Sequence, residues 1–422
     1  MSGLQGSKRQ NHHGRQTGIL IFRGAGDTSL APPSSVSRQQ PAHNRHQKGK
    51  YVVASLGNRL KITIFGLTIS SSWGNGHATP YRALLRALHR LGHDLVFYEC
   101  DVPYYARRRD FTAPDFCRLV LYSSWNEIRP QALDDARESD VIINASYCPE
   151  GTKIIDDVLD VDRPAHVFYD LDTPITLATL LAPGVEYLRA EQIPEFDLYL
   201  SWCGGKIIDE LEERWHARKA APLYGCVDPD VHRRVEVPEQ YRCLMSYMGT
   251  YAADRKQALE SLFLGPVRRC PEKRFVLAGS LYPGEWEWPA NLQRYEHVSP
   301  HDHPALYSGS RLTLNLTRAG MARDGYCPSG RLFEAAACGT PIISDWFDGL
   351  HEFFAADEIF VARETEDVMQ AVRSSDEKLG RVAKHARDRT LSEHTGERRA
   401  LQLIKYLEAV ISPRSKSIAE VA

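Results

Sequence analysis

The chain has 422 residues and a mass of 47.7 kDa, which predicts two or three domains. Hydrophobic residues make up 43% and charged residues 25%, which excludes a disordered or collagen-like chain, and the net charge of −2 gives no overall basic character for nucleic-acid binding. Nine scattered cysteines form no C-x-x-C pair and no apolar run is long enough to span a bilayer, so we expect a cytoplasmic protein with reduced thiols, no signal peptide and no transmembrane segment.

The amino-terminal segment differs from the rest of the chain. Residues 1–50 contain eight Lys and Arg residues but a single acid, Asp27. Such a segment cannot bury enough apolar surface to offset the entropy lost on ordering. We therefore predict a disordered basic tail over residues 1–58, with a transit peptide or an arm for an anionic partner as alternatives.

Residues 59–238 alternate between β-rich runs and helical patterns, which is typical of a parallel α/β sheet. A helix is predicted from Thr79, as N-cap, and Pro80, as first helical residue, to Gly92 just past its end. The predicted strands of this region are 61–66, 94–98, 140–144, 165–169 and 197–202.

A second alternating region covers residues 239–396, and residues 397–422 form an amphipathic helix and tail that can cross back to the first region. Two doubly wound α/β halves with a cleft between them are therefore expected. The predicted strands of the second region are 244–248, 274–278, 311–316, 341–344 and 358–361.

The first candidate site is the turn Ser72 to His77, between a predicted strand and a predicted helix. Gly74 and Gly76 allow a tight turn around Asn75 and close approach of a ligand to the backbone. His77 is a candidate base or hydrogen-bond partner. A turn without a ligand is the alternative, and the spacing does not match the dinucleotide motif G-x-G-x-x-G.

Asp170 and Asp172 follow a buried strand and form a D-x-D pair. Residues two apart on a strand point the same way, so both carboxylates could face one site. Three interpretations remain: a divalent metal bridging a nucleotide diphosphate, a metal-free contact with a substrate hydroxyl, or turn chemistry without a ligand.

The third candidate site lies between Pro328 and Asp345. Ser329 is placed to cap a helix whose first amides, from Gly330 onward, could meet a pyrophosphate. Glu334 lies on that helix and could accept two hydrogen bonds from ribose hydroxyls. The alternative is a surface glutamate, although the surrounding alanines favour a closely packed helix.

The run Arg331 to Pro341, with Leu314 to Arg318, Gly325 to Ser329 and Gly349 to Phe354, resembles the carboxy-terminal motifs of CgeB-like glycosyltransferases, the spore maturation protein type. Asp170 to Pro174 also resembles an element of that family. The resemblance covers roughly residues 60 to 410 and includes a relation to glycosyltransferase families 1 and 4.

The resemblance implies the GT-B fold, which consists of two Rossmann-like domains facing a central cleft. Residues 59–238 would bind the acceptor through Asp170, Asp172 and the loop from Gly74 to His77, with Asp172 and His77 as the catalytic pair. Residues 239–396 would hold a nucleoside-diphosphate sugar, UDP- or dTDP-linked. The implied donor contacts are Glu334 to the ribose and, to the diphosphate, Arg255, Arg318, Arg331, Ser329 and Gly330.

The implied activity is hexosyl transfer with retention, to an unidentified glycan or small-molecule acceptor, without a metal or a separate cofactor. One feature departs from many retaining relatives, which carry two glutamates separated by seven residues. Tyr326 stands where the first of them belongs, and Asp324 is the nearest acid. A nucleotide-sugar epimerase or hydrolase, and a catalytically silent binding or spore/envelope protein, are the alternatives.

Two further patterns are weaker. His301 and His303 are spaced as in some zinc sites, but no third ligand is close in the sequence, so we predict no metal site. Trp286 and Trp288 lie in a loop rich in Pro and Gly, where they could stack on a sugar or base or pack within the loop.

Overall fold

The computed structural model describes residues 59–181 and 184–421, with side chains up to Ile411. The predicted tail over residues 1–58 lies outside these residues. In the described part, thirteen strands form two sheets. The strands are β1 Lys61–Gly66, β2 Asp94–Cys100, β3 Arg118–Tyr122, β4 Val141–Ala145, β5 Ala165–Asp170, β6 Leu198–Ser201, β7 Ala220–Pro222, β8 Cys243–Met248, β9 Phe275–Ala278, β10 Leu292–Tyr295, β11 Ser310–Asn315, β12 Ile342–Ser344 and β13 Phe360–Val361.

Helices connect these strands, as a parallel sheet requires. A π-helical segment, Glu260–Leu264, joins two of the shorter ones. The helices are α1 Ala78–Arg90, α2 Pro103–Ala106, α3 Trp125–Arg137, α4 Gly151–Leu159, α5 Thr173–Leu180, α6 Lys206–Glu213, α7 Lys256–Leu259, α8 Gly265–Arg269, α9 His303–Gly309, α10 Ala319–Asp324, α11 Gly330–Ala337, α12 Leu350–Phe353, α13 Thr365–Val372, α14 Asp376–Glu393 and α15 Gly396–Val421.

Both sheets are parallel and doubly wound, which confirms the predicted fold class. The seven strands of the first sheet are ordered β3-β2-β1-β4-β5-β6-β7, and the six strands of the second are ordered β10-β9-β8-β11-β12-β13. The order in which strands are added reverses between β1 and β4 in the first sheet and between β8 and β11 in the second. Open α/β sheets bind ligands beyond the carboxyl ends of the strands at this reversal, so each sheet has one such place.

The central strands are buried on both faces, as in other parallel sheets covered by helices. Every residue of β4 and β5 is buried, and Leu84, Leu85 and Leu88 of α1 pack on the first sheet. Full burial of each such leucine contributes about 1.5–3 kcal/mol. These leucines form an apolar stripe that holds α1 on the sheet.

Sequence patterns missed β3, β7 and β10, all of which lie at sheet edges. β7 and β10 have only three and four residues, and β3 is mostly partly exposed in spite of its apolar sequence. The predicted start of α1 was also wrong. The helix begins at Ala78 with His77 as its cap residue, and Thr79 lies inside it. Gly92 does follow the helix with a φ of +93°, as predicted for a residue in that position.

The long helix α15 lies against α1 rather than against the second sheet. Its residues Ala400, Leu403, Ile404 and Leu407 are buried in the core of the first half. The chain thus returns to its first sheet after completing the second. None of the described helices is both long and apolar enough to cross a membrane, and all nine cysteines are free thiols, as expected.

Candidate active site between the two sheets

The two halves meet where loops from the carboxyl ends of their strands approach each other. After β6, the indole Nε1 of Trp202 donates a hydrogen bond to the carbonyl oxygen of Pro328 at 2.8 Å. Next to it, the amide of Gly204 donates to the carbonyl oxygen of Tyr326 at 3.0 Å. These contacts hold the loop before α11 against the first half, so the predicted donor and acceptor segments border one cleft.

A second contact between the halves involves the first predicted loop. The rings of Trp73 and His297 are 4.8 Å apart between centroids, and His297 follows β10 of the second half. The guanidinium of Arg108 also stacks on Trp73, 3.4 Å from the ring centroid. Burial lowers the pKa of His297, and the nearby His303 adds to this effect, which favours the neutral imidazole in the interface.

Asp172 stands at the start of α5, directly after β5. Its Oδ2 accepts a hydrogen bond from the Tyr147 hydroxyl at 2.8 Å and lies 3.6 Å from His77 Nε2. Burial alone would raise the pKa of the Asp172 carboxyl, but His77, Tyr147 and the charge of Arg318 outweigh burial and lower it. The group is therefore an ionised hydrogen-bond acceptor at neutral pH. The structure brings the two predicted catalytic residues together.

Asp170 is in a different environment. Its Oδ2 accepts a hydrogen bond from the Tyr199 hydroxyl at 2.7 Å, and its Oδ1 accepts from the Thr176 hydroxyl at 2.9 Å and from the Asp172 amide at 3.1 Å. The residue is fully buried. Because its carboxylate is held inside the first half, the two aspartates do not face one site, and the D-x-D arrangement for a bridging metal is absent from the described structure.

The buried position of Asp170 leads to a pH-dependent prediction. Burial raises its pKa from 3.8 to about 6, so the native state holds this proton more tightly than the unfolded state. The stability contributed by this group therefore falls as pH rises through that interval. Asp170→Asn removes the titration while keeping one acceptor oxygen. We expect the melting temperature of Asp170→Asn minus that of the wild type to increase from about pH 4 to about pH 7. A difference that stays constant across this range would contradict the assignment.

The side chain of Asn75 holds the predicted acceptor loop from within. Its Nδ2 donates to the carbonyl oxygens of Thr68 at 3.2 Å and Ser71 at 3.3 Å, and its Oδ1 accepts from the His77 amide at 3.0 Å. Asn75 is buried. Its observed role is to position His77 at the start of α1.

The two glycines of this loop differ. Gly74 has a φ of +60°, and a Cβ there would lie 2.8 Å from the Tyr104 hydroxyl, so both conformation and space favour glycine. A Cβ added at Gly76 would meet no atom of the described residues within 4 Å, so this side of the loop is open.

In the second half, Arg331 ties the start of α11 to two strands. Its Nη1 donates to the carbonyl oxygen of Met248 at 2.7 Å, and its Nη2 donates to that of Leu316 at 3.0 Å. Its Nε donates to the Ser329 hydroxyl at 3.0 Å. Arg331 thus fixes the ends of β8 and β11 and also carries its charge into the cleft.

Ser329 occupies the N-cap position of α11, but its hydroxyl makes no capping hydrogen bond with this helix. The predicted side-chain cap is therefore wrong, because the hydroxyl serves Arg331 instead. The Leu332 amide donates to the Ser329 carbonyl oxygen at 3.1 Å, and the amides of Gly330 and Arg331 have no side-chain cap. A helix start of this kind favours an anion through its exposed N–H groups and its dipole.

Two more arginines lie beside Arg331. Arg255 donates from Nη2 to the Thr250 carbonyl oxygen, but its buried Nε has no hydrogen-bond partner among the described residues. Burial lowers the pKa of Arg255, and the charges of Arg331 and Arg318 lower it further. Arg318 Nε is 3.5 Å from Asp254 Oδ2. The structure thus gathers the three predicted arginines into one cationic cluster.

Glu334 projects from α11 into a buried polar pocket and is 5% exposed. Its Oε2 lies 3.5 Å from His303 Nδ1 and accepts a weak hydrogen bond from the Tyr307 hydroxyl at 3.4 Å. Its Oε1 lies 3.9 Å from His232 Nε2. Burial would raise the pKa of Glu334, but its interactions with His303, His232 and Arg331 lower it well below its ordinary value.

The comparisons with known proteins agree with this geometry. Residues 255–405 match a family model described as glycosyl transferase-like. A solved structure of an α-glucosyltransferase in complex with UDP-glucose and DNA is similar, with a TM-score of 0.64, 14% identity, and coverage of 83% of this chain and 100% of that chain. The chain has the GT-B fold. The predicted fold is thereby confirmed.

Two further GT-B structures are similar to this chain. Anabaena HepE, in complex with UDP and glucose, has a TM-score of 0.59 at 11% identity, covering 83% of this chain and 100% of that chain. Sucrose-phosphate synthase from Thermosynechococcus elongatus has a TM-score of 0.57 at 13% identity, covering 84% and 100%. No curated protein matches the sequence.

Tyr326 occupies the position where the resemblance implied a glutamate, and its observed contacts are structural. It has a φ of +48°, and its amide donates to the Asp348 carbonyl oxygen at 2.6 Å. The neighbouring acid, Asp324, makes contacts with Arg323 at 3.0 Å and with Lys206 at 3.8 Å. Through Lys206, Asp324 therefore links the two halves by an ionic contact.

His232 and Tyr307 were missed by the sequence analysis, since a lone His in a loop and a Tyr on a short helix have no pattern that points to Glu334. His301 and His303, which the sequence analysis considered and rejected as a metal pair, do not face each other. His301 is 93% exposed in its side chain, whereas His303 turns inward to Glu334.

The predicted tryptophan pair packs within its own half. The ring centroids of Trp286 and Trp288 are 5.4 Å apart, and Tyr282 and Tyr251 complete the aromatic cluster. Both tryptophans are partly buried against the second core. Loop packing accounts for these contacts.

Proposed function

We propose that the protein is a glycosyltransferase that moves a hexose from a UDP- or dTDP-linked donor to a hydroxyl of an unidentified glycan or small molecule. The glycosyl transferase-like match over residues 255–405 supports this proposal. So do three GT-B neighbours, since the names of two include UDP or UDP-glucose and the third is a sucrose-phosphate synthase. The CgeB-like motifs support that subtype as part of the proposal.

The observation that carries the proposal is the cationic cluster of Arg255, Arg318 and Arg331 beside the open start of α11. The three guanidinium groups repel one another, and a bound anion would offset this repulsion. In the described structure the Nε of Arg255 is also buried without a hydrogen-bond acceptor. A diphosphate supplies the negative charge and the acceptor oxygens that this cluster lacks. Glu334 lies on the same helix, where it would accept hydrogen bonds from the two ribose hydroxyls of the donor.

On the opposite side of the cleft, Asp172 would receive the acceptor hydroxyl. An ionised carboxylate held by Tyr147 and close to His77 either orients that hydroxyl or takes its proton during transfer. Arg318, whose charge reaches Asp172, lies between the proposed acceptor and diphosphate positions. As the sugar leaves, the arginines and helix amides would stabilise the charge that develops on the departing diphosphate.

The proposal includes transfer without a metal ion and with retention at the anomeric carbon. Three arginines can neutralise a diphosphate without a divalent cation, and Asp170, the one partner available for a D-x-D site with Asp172, is fully buried. Retention is supported by the neighbour named as an α-glucosyltransferase, since UDP-glucose is itself α-linked. Product NMR distinguishes an α from a β linkage.

The test begins with nucleotide binding by the full chain after treatment with EDTA. UDP, dTDP, GDP, ADP and CMP are titrated in a thermal-shift assay with and without Mg²⁺. A diphosphate at 100 times its Kd stabilises the native state by about 2.7 kcal/mol. A saturable shift that is independent of Mg²⁺, followed by sugar transfer to an acceptor library, is the expected result.

Other outcomes identify the alternatives. Consumption of the nucleotide sugar without any acceptor would indicate a hydrolase or an epimerase. Binding without turnover would indicate a silent binding protein, and no shift with any nucleotide would remove the donor assignment.

Arg255→Ala tests the diphosphate position. We expect a rise of about 10- to 100-fold in the Kd of UDP, since one charged hydrogen-bond partner contributes about 1.5–3 kcal/mol. The affinity for uridine, which has no phosphate, should not change. Arg294→Ala is the matched control, since Arg294 is exposed and stacks on Trp288. Equal loss of UDP affinity in both variants would contradict a specific role for Arg255.

A further inference from the structure

We propose that His232, His303 and Glu334 form a binding site for one zinc ion, and that zinc bound there excludes the nucleotide. The site is distinct from the cationic cluster, although Glu334 and Arg331 both lie on α11. The exclusion of nucleotide rests on the proposed function, because it requires Glu334 to hold the ribose.

The geometry suits a small divalent ion. One ligand atom from each residue lies within 4.8 Å of the other two. Glu334 oxygens lie 3.5 Å from His303 Nδ1 and 3.9 Å from His232 Nε2. Zinc bonds of about 2.0–2.2 Å in a tetrahedral arrangement require ligand atoms about 3.4 Å apart. The contact of Glu334 with His303 is already near this spacing, and zinc binding requires the His232 side chain to move closer.

The donors and acceptors around His303 and Glu334 also indicate a cation. His303 Nε2 lies 3.2 Å from the carbonyl oxygen of Val298. A carbonyl can only accept, so Nε2 carries a proton, and in the neutral form of the ring Nδ1 presents a lone pair to Glu334. Two acceptors that face each other at 3.5 Å need a positive centre between them. Ligating histidines commonly donate their other ring nitrogen to a backbone carbonyl, as His303 does here.

His232 provides the independent observation. Its side chain is 1% exposed, and neither ring nitrogen makes a well-formed hydrogen bond in the described structure, although the Asp228 backbone lies close enough to the ring to raise its pKa. A proton shared between His303 and Glu334 would satisfy that contact but would leave at least one buried nitrogen of His232 without a partner. A metal ion uses one nitrogen from each ring.

The ligand set is that of an open zinc site. Two imidazoles and one carboxylate bind zinc in sites that keep the fourth position for water or another ligand. The Tyr307 hydroxyl donates to Glu334 Oε2 and helps to orient it. His303 keeps 12% of its side chain exposed, so the pocket opens to solvent on that side.

The test measures metal binding by the full chain without nucleotide. After removal of metals with EDTA, Co²⁺ is titrated as a spectroscopic probe, and Zn²⁺ is titrated by calorimetry. We expect one ion per chain, with the visible absorption of four-coordinate cobalt that zinc abolishes. His232→Ala and His303→Ala should each lower the Zn²⁺ affinity by at least about 100-fold. His301→Ala, in the same loop as His303, is the control and should bind as the wild type does.

Nucleotide competition is tested on the same samples. Saturating UDP should lower the apparent Zn²⁺ affinity of the wild type, and EDTA-treated protein should bind UDP without added metal. Absence of a stoichiometric site, or Zn²⁺ affinity unchanged in both His232→Ala and folded His232→Gln, would overturn the metal site. Simultaneous binding of zinc and UDP would overturn the exclusion. If UDP fails to bind metal-free protein while zinc binds at the predicted residues, the proposed function fails and the zinc site stands.

Discussion

Asp172→Asn is expected to lower kcat for sugar transfer by about 10²- to 10⁴-fold, the range for loss of a group that accepts or removes a proton in the transition state. The amide retains one oxygen and nearly the same volume, so Tyr147 keeps an acceptor and the fold should be unaffected. The Kd of UDP should change little, because Asp172 makes its hydrogen bond to Tyr147 and only the charge of Arg318 links it to the cationic cluster. The measurement is steady-state transfer together with a UDP titration.

Asp140→Asn is the matched control for this prediction. Asp140 precedes β4, at the amino end of the first sheet, where its Oδ2 accepts a hydrogen bond from the Lys61 amide at 2.9 Å. Because an asparagine oxygen can accept the same bond, transfer should proceed at the wild-type rate. A normal kcat in Asp172→Asn would remove Asp172 from the mechanism, and a parallel loss of UDP affinity would place it on the donor side.

Glu334→Ala is expected to raise the Kd of UDP by about 100-fold, since two charge-assisted hydrogen bonds to ribose hydroxyls contribute roughly 3 kcal/mol together. UDP-sugar affinity should fall in parallel, whereas pyrophosphate, which lacks a ribose, should bind as before. The titrations use protein freed of metal with EDTA, so that the proposed zinc site does not contribute. Calorimetry gives the Kd values directly.

Two variants make this result specific. Glu334→Gln keeps one acceptor oxygen and should fall between the wild type and the alanine variant. Glu377→Ala removes an exposed carboxylate from α14 of the same half and should bind UDP normally. If Glu334→Ala weakened pyrophosphate binding as much as UDP binding, its effect would be on the shape of α11 rather than on the ribose.

The alternation of buried strands and helices could be predicted from the sequence because it depends on local patterns. The runs at 61–66, 140–144 and 165–169 each carry three or four apolar residues close together, as strands covered on both faces do. The edge strands β3 and β10 were not predicted. The four residues of β10 include two polar ones, and most of the apolar residues of β3 are only partly buried, so neither strand has the pattern of a strand covered on both faces.

The candidate site could be predicted only in part. Glu334 and the three arginines were predicted from the motif resemblance. In the structure they lie on one side of the cleft. Ser329 was correctly placed at a helix start, but its hydroxyl serves Arg331 instead of the helix. Whether the Ser329 hydroxyl bonds to Arg331 or to a helix amide depends on how the neighbouring strands position Arg331.

The sequence by itself therefore determined the α/β class, the doubly wound halves and the residue types at the ends of the strands. Only the tertiary structure decided which side chains share a site. Asp170 and Asp172 are two residues apart, yet one is sealed among Tyr199 and Thr176 and the other faces His77. His232 and Glu334 are 102 positions apart, yet they lie in one pocket. The physical reason is that hydrophobic periodicity specifies which face of an element is buried, whereas the packing of one element on another selects each polar partner.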